Sequence, residues 1–171
     1  SLEKSRILLD FPISGVISDR NAGNIPGNGS VNFYLKLFNA KHPNTVPNRV
    51  TLVVDALSRS WSEGIGLDME KYLDKDSANW TSASVGTVWT TTGSDFYTSP
   101  VYSQYFENGT EDLEVKITDL VEQWIDGTKP SYGVLISLTE SQENDTTSHY
   151  TKKFFARSSE FFYKRPIIEA R

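Results

Sequence analysis

The chain has 171 residues, no cysteine, and 17 basic against 22 acidic side chains, which gives a net charge of −5. The length suits one domain with a full core, the acidic balance argues against nucleic acid as a partner, and the missing cysteines exclude disulfides and thiolate metal sites. We therefore expect a single domain over residues 1–171. Because no apolar run approaches the ~20 residues that span a bilayer, we expect no insertion in a membrane.

Alternating apolar and polar residues predict strands along most of the chain. The first strand is expected at 6–11, and a loop rich in Gly, Asn and Pro follows at 18–30. Two longer runs, at 31–38 and 50–57, are separated by a turn with two prolines and are expected to form a hairpin-like antiparallel pair. Further short strands are expected at 87–91, 150–157 and 165–170, and further connections at 62–79, 98–112 and 141–148.

A segment with helical spacing interrupts the strands and is flanked by two alternating runs, at 113–117 and 134–138, which are also expected to be strands. Thr118 or Asp119 can act as its N-cap, and Gly127 is expected to end it. The apolar stripe of this helix consists of Leu120, Val121, Trp124 and Ile125. We therefore predict an all-β fold, an antiparallel two-sheet β-sandwich, with one short amphipathic helix at about 118–126 that covers an open edge or end.

An acidic loop is the candidate metal site. Carboxylates at Glu63, Asp68, Glu70, Asp74 and Asp76 fall within fourteen residues, and oxygen ligands on a loop are what Ca²⁺ binds. The spacing does not match the EF-hand pattern, and two lysines offset part of the charge, so a solvated surface loop is the competing interpretation. If a metal binds, its predicted ligands are Asp68, Glu70, Asp74 and Asp76.

Aromatic side chains are the candidates for sugar binding, because a flat ring can bury the apolar face of a pyranose. Trp61 and Trp124 lie beside strand and helix patterns and are expected in the core. Core packing is also the competing interpretation for the other aromatics. The predicted glycan-binding residues at the surface are Trp89, Tyr97, Tyr102 and Tyr105.

Few residues suggest catalysis. His42 precedes a proline in a turn and His149 opens a strand, and neither has a partner at the spacing of a catalytic triad or a zinc site. The segments GNIPG and GNGS lack the preceding strand, following helix and lysine of a phosphate-binding loop. We therefore expect no enzymatic activity, and no cofactor other than the Ca²⁺ considered above.

The order of several motifs carries a family resemblance: RILLDFP, the pair YLKLFNA and VTLVVDAL, SWSEG followed by NW, VKITDLVEQWIDGTKPSYGVLI, and the ending FFARSSEFFYKRPIIEA. Together they resemble the DNRLRE-type β-sandwich family, whose jelly-roll-like modules occur in extracellular, spore-surface and polysaccharide-associated proteins. The resemblance implies a jelly-roll-like sandwich and places Trp61 and Trp80 near each other as packing residues. The chain departs from the family in the acidic loop and at 92–110. It is also similar to structural proteins of tailed bacteriophages that share this ending.

These observations lead to two functional expectations. The first is a non-enzymatic structural or attachment component of a virion, such as that of a tailed phage, or of an extracellular surface assembly. Its partners would be other structural proteins of that assembly or copies of itself, contacted through strand edges and loops. The alternative is a carbohydrate-binding module associated with a polysaccharide-active secreted protein, with a glycan as partner. The contact loops are expected at 18–30, 62–79, 92–110 and 141–148.

Overall fold

The computed structural model describes residues 4–64 and 76–171. Within these ranges the protein is mostly β-sheet, with three short α-helices and one 3-10 helix. The strands are β1 (Ile7–Leu9), β2 (Phe33–Leu37), β3 (Val50–Leu57), β4 (Ser82–Ser84), β5 (Thr87–Val88), β6 (Phe96–Phe106), β7 (Leu113–Lys116), β8 (Val134–Leu138) and β9 (Ile167–Ala170). The helices are α1 (Ser14–Asn21), α2 (Thr118–Ile125) and α3 (Glu140–Glu143), and the 3-10 helix is Phe162–Lys164.

The strands form three antiparallel sheets. The larger sheet has the order β1-β8-β3-β6, the second has the order β7-β2-β9, and β4 with β5 forms a separate ribbon. Every strand pair in the described ranges is antiparallel. This confirms the predicted all-β, antiparallel character of the fold.

One apolar cluster collects side chains from both larger sheets and from α2. Leu35 of β2 and Val54 of β3 are fully buried in it, and the alternation of side chains along a strand turns every second residue of β2 towards it. Trp124 of α2 is only 3% exposed in the same cluster. This confirms the predicted burial of Trp124, and it means that α2 packs its apolar stripe against the strands.

The four-stranded sheet is also covered on its second face. Asp55 of β3 pairs with Leu135 of β8. Because side chains alternate along a strand, both point to the face of the sheet that lies opposite the main cluster. They are nevertheless buried, 5% and 1% exposed. Leu8, which pairs with Leu135, lines a pocket with Trp61 and Trp89. The segments at 58–64 and 76–95 therefore cover this second face.

The predicted hairpin of the two longest early strands is wrong. β2 lies between β7 and β9, whereas β3 lies between β6 and β8 in the other sheet. The alternation of a strand specifies which face is apolar but not which strand is its neighbour. The two strands therefore share the core through their apolar faces and not through a common ladder.

Helix α1 occupies part of the predicted loop at 18–30. Its local sequence contains Gly15 and two β-branched residues and has no side-chain cap, so propensity does not favour it. The contact that holds it is distant in sequence, because Arg20 donates from Nη2 to Glu122 Oε1 of α2 at 2.7 Å.

No helix in the described ranges is long and apolar enough to cross a membrane.

Two further predictions, one of a connection and one of a strand, also need correction. The expected connection at 98–112 is largely occupied by β6, an edge strand with no charged residue. The expected strand at 150–157 is reduced to a single bridge between Asn39 and Phe154, because the chain there passes β2 only briefly.

The predicted caps of α2 are half right. Its N-cap is Ile117, and neither Thr118 nor Asp119 makes a capping bond. Thr118 Oγ1 instead accepts a hydrogen bond from the Phe33 amide at 2.9 Å, which ties the helix start to β2. The helix ends at Ile125 with Asp126 as its C-cap, and Gly127 follows as the predicted C′ residue, with a φ of +79° that favours glycine.

Candidate functional site

Two neighbouring pockets meet at Trp61. Each has a volume of about 330 Å³, and both are lined by Leu8, Trp61 and Glu63. The indole Nε1 of Trp61 donates to the Tyr132 carbonyl at 3.0 Å, which fixes the ring as the wall between them. We call the first the tryptophan pocket, because it also contains Trp80 and Trp89, and the second the Arg165 pocket.

Arg6 organises the tryptophan pocket. Its guanidinium donates from Nε and Nη2 to the Glu143 carboxylate at 2.7 and 2.6 Å and from Nη1 to the Gly93 carbonyl at 3.0 Å. It also lies 4.8 Å from the ring of Trp80, within the range of a cation–π contact. A side chain at Gly93 would place Cβ 2.7 Å from Arg6 Nη1. Arg6 therefore joins α3, the Gly93 turn and Trp80 through one planar group.

Asp55 is the most perturbed carboxyl group near this pocket. It is 5% exposed on β3, and burial raises its pKa to about 6, while the charge of Arg6 opposes that rise. A carboxyl group with this pKa can exchange a proton near neutral pH. The described residues contain no group of three or more His, Asp or Glu that could hold a metal ion beside it.

The Arg165 pocket has apolar walls and a charged rim. Phe11, Pro12 and Pro166 join Trp61 and Leu8 in the wall, and the rim includes Arg157 and Arg165. Arg157 Nε donates to Glu63 Oε1 at 3.0 Å, but both side chains are more than half exposed. Such a pair contributes little to stability and remains available to a ligand. The pocket can thus bury one apolar face of a small ring while its rim donates hydrogen bonds.

Next to Arg165 lies a group of exposed aromatic rings, which we call the C-terminal aromatic cluster: Phe161, Phe162 and Tyr163. Their exposed fractions are 41%, 74% and 60%, and adjacent rings meet edge to face at centroid distances of 6.1 and 5.7 Å. Lys164 Nζ lies 5.6 Å from the ring of Phe161. The sequence interpretation missed this cluster. The signal was the run FFYK, because consecutive aromatics in one turn cannot all point inward.

The predicted glycan residues do not form one platform. Trp89 is only 5% exposed, and its Nε1 donates to the Asn79 carbonyl at 2.8 Å, so its expected exposure is wrong. Tyr102 turns inward, where its hydroxyl accepts from the Leu120 amide at 3.0 Å. Tyr97 packs on the core and lies 4.7 Å from Lys129 Nζ. Tyr105, at 55% exposure, faces solvent. The alternation of β6 places Tyr102 and Tyr105 on opposite faces.

Three of the four predicted metal ligands, Asp68, Glu70 and Asp74, lie outside the described residues. Asp76 is described and is exposed. The calcium site therefore stays a prediction.

A wider cleft of about 740 Å³ lies among the loops at 43–45 and 142–151, and His149 is part of its lining. Polar groups dominate it. Asp145 accepts from the Thr147 amide at 2.8 Å, and bonds from Ser148 and Thr147 lower the pKa of Asp145 to about 2. These bonds stabilise the loop itself. They do not assemble catalytic machinery around His149.

Comparisons of the chain with models of protein families, with curated proteins and with solved structures found no match. The family resemblance inferred from the motifs therefore stays a prediction. The pockets and exposed surfaces described above are what supports a function.

Proposed function

We propose that the protein is a non-enzymatic structural or attachment component of a virion, such as that of a tailed phage, or of an extracellular surface assembly. The observation that carries this proposal is the C-terminal aromatic cluster. Phe162 is 74% exposed and Tyr163 is 60% exposed, so their apolar surface is in contact with water. Association with a partner would bury this surface. Aromatic residues are also enriched in the cores of protein–protein interfaces.

The proposed architecture is a single domain in which the two larger sheets pack face to face as a jelly-roll-like sandwich. The shared apolar cluster supports it, since Leu35 and Val54 come from different sheets and are both fully buried in it. A sandwich presents its loops at the two ends. In this arrangement the partners are other structural proteins of the assembly or copies of this chain, contacted through the aromatic cluster and the end loops.

The test is incorporation into the native particle. We expect mass spectrometry to detect the chain in purified virions or surface filaments, and Phe162→Ser with Tyr163→Ser to reduce its incorporation strongly. Val85→Ser is the matched control, because Val85 is also an exposed apolar residue, at 65%. Equal incorporation of both variants would contradict the proposed role of the cluster. Absence of the chain from such particles would contradict the function.

A carbohydrate-binding module associated with a polysaccharide-active secreted protein is the second candidate, and the Arg165 pocket favours it. The pocket combines an indole wall with rim groups at Glu63 and Arg157, the combination that holds a sugar ring. A glycan array should then show reproducible binding to one polysaccharide class that Arg157→Ala abolishes. Arg49→Ala is the control, because Arg49 is an equally exposed arginine in an ion pair elsewhere. Silence on the array would exclude this candidate.

A further inference from the structure

Lys152 holds its ammonium group against the side-chain amide of a residue far away in the sequence. Its Nζ donates to Asn39 Oδ1 at 2.6 Å, across a separation of 113 residues. Two main-chain carbonyls, of Gly109 and Glu111, accept its other hydrogen bonds at 2.8 Å each. Since a C=O bond is ~1.23 Å long, Nζ lies at most about 3.8 Å from the Asn39 carboxamide carbon. This approaches the separation of reacting atoms in a near-attack arrangement.

The main chain fixes this approach. Asn39 bridges Phe154, the Ala40 amide donates to the Lys153 carbonyl at 2.9 Å, and the Phe155 amide donates to the Phe38 carbonyl at 3.0 Å. Asn39 and Lys152 therefore project from two chain segments that are already joined on both sides. Neither side chain has to move the backbone to meet the other.

Burial increases the neutral fraction of this amine, although the ammonium form still predominates at pH 7. Lys152 Nζ lies 5.0 Å from the ring of Phe106 and 4.7 Å from that of Phe154, and these rings are 0% and 9% exposed. Burial lowers the pKa of Lys152 from 10.5 to about 8, while the charges of Glu111 and Asp112 oppose that shift. With such a pKa, about a tenth of the side chain is an unprotonated nucleophile at pH 7, far more than for an exposed lysine.

We propose that Lys152 and Asn39 form an intramolecular isopeptide bond. The neutral Nζ attacks the Asn39 carboxamide carbon, the new C–N bond forms, and the original carboxamide C–N bond breaks to release ammonia. Ammonia leaves with the proton that the lysine ammonium gave up, so ammonium plus carboxamide become a secondary amide plus an ammonium ion. The step is balanced without an oxidant or any other co-reactant.

Neighbouring groups position both partners. The Asn39 amide N–H donates to Asp112 Oδ1 at 2.7 Å, which holds the asparagine in place. The main-chain carbonyls of Gly109 and Glu111 each accept a hydrogen bond from Lys152 Nζ at 2.8 Å, which holds the lysine in place.

The decisive measurement is mass spectrometry of the full chain. The mature protein should be about 17 Da, one ammonia, lighter than its sequence mass. Succinimide formation at Asn28-Gly29 or Asn108-Gly109 would lose the same mass, so peptide mapping is required. We expect trypsin to leave Lys152 uncut and to yield a branched peptide that joins residues 37–41 to the segment carrying Lys152.

Variants separate the bond from its surroundings. Lys152→Arg keeps the positive charge but cannot form the amide, and it should restore the full mass and remove the branched peptide. Lys153→Arg, at the exposed neighbouring position, should leave both unchanged.

The proposal itself is overturned by one result. If the protein, incubated at about pH 9 where the amine is mostly neutral, still yields Asn39 and Lys152 in separate unmodified peptides, then Lys152 is only a hydrogen-bonded ammonium and no bond forms.

Discussion

Gln104 hydrogen-bonds to the main chain on both sides of Leu113: its Nε2 donates to the Asp112 carbonyl at 2.9 Å, and its Oε1 accepts from the Glu114 amide at 2.7 Å. Gln104 belongs to β6, the edge of the four-stranded sheet, and Glu114 belongs to β7, the edge of the three-stranded sheet. The amide side chain therefore takes the place of a neighbouring strand beside β7. It connects the two sheets where no ladder does.

Replacing this amide should weaken the protein measurably. We expect Gln104→Ala to lower the free energy of unfolding by about 0.5–1.5 kcal/mol, because it removes two exposed hydrogen bonds to the main chain. Urea denaturation checks this value. Ser103→Ala, on the exposed face of the same strand, is the control and should change stability by less than about 0.5 kcal/mol. A similar loss in both variants would show that strand propensity and not the amide bridge is responsible.

Asp55 should make stability depend on pH. Because burial raises its pKa in the folded protein from 3.8 to about 6, the folded state binds its proton more tightly than the unfolded state. Its contribution is therefore most favourable below pH 3.8 and is lost as the pH rises to about 6. Asp55→Asn should raise the free energy of unfolding at pH 7 by about 1–2 kcal/mol and flatten this part of the profile. Asp76→Asn is the exposed control. An unchanged profile in Asp55→Asn would contradict the assignment.

The ion pair between α1 and α2 is expected to be strongly coupled. The side chains of Arg20 and Glu122 are only 13% and 9% exposed, so removing one partner leaves a nearly buried charge unpaired. We expect Arg20→Met and Glu122→Leu each to cost about 2–4 kcal/mol, and the double variant to cost less than their sum. A double-mutant cycle measured by chemical denaturation tests this. Additive losses would mean that the pair is not coupled.

Trp124 should be among the most important single residues for stability. It is 3% exposed and belongs to the main apolar cluster, so Trp124→Ala should cost about 3–5 kcal/mol. The melting temperature should fall accordingly. Phe162→Ala removes another aromatic ring, but one that is 74% exposed, and should leave the melting temperature nearly unchanged. Equal effects in the two variants would contradict the burial described here.

Local periodicity predicted the elements whose residues alternate clearly. β3, β8 and α2 lie close to the expected ranges because their apolar faces can be recognised from short windows. The partners of β2 and β3 could not be recognised in this way, since sheet neighbours are chosen by packing over the whole chain. Helix α1 was missed for a related reason, because the contact of Arg20 with Glu122 spans 102 residues.

The candidate sites depend even more on distant contacts. Trp61 was expected as a packing residue, and no local pattern indicates that it separates two pockets. Trp89 and Tyr102 are aromatic residues with polar neighbours, and only the fold determines that both turn inward. The approach of Lys152 to Asn39 could not be predicted either, because the two residues belong to segments with no shared pattern.

The two-sided burial of β3 gives Asp55 a further consequence. From Val54 to Leu57 the side chains on both faces of β3 are buried. The pattern of apolar residues alone would therefore allow β3 to shift by one residue against β8. Such a shift would turn the Asp55 carboxylate into the apolar cluster and away from Arg6, at a cost of several kcal/mol. Asp55 thus destabilises the native state at neutral pH but destabilises the shifted state more. It therefore favours a single register of β3.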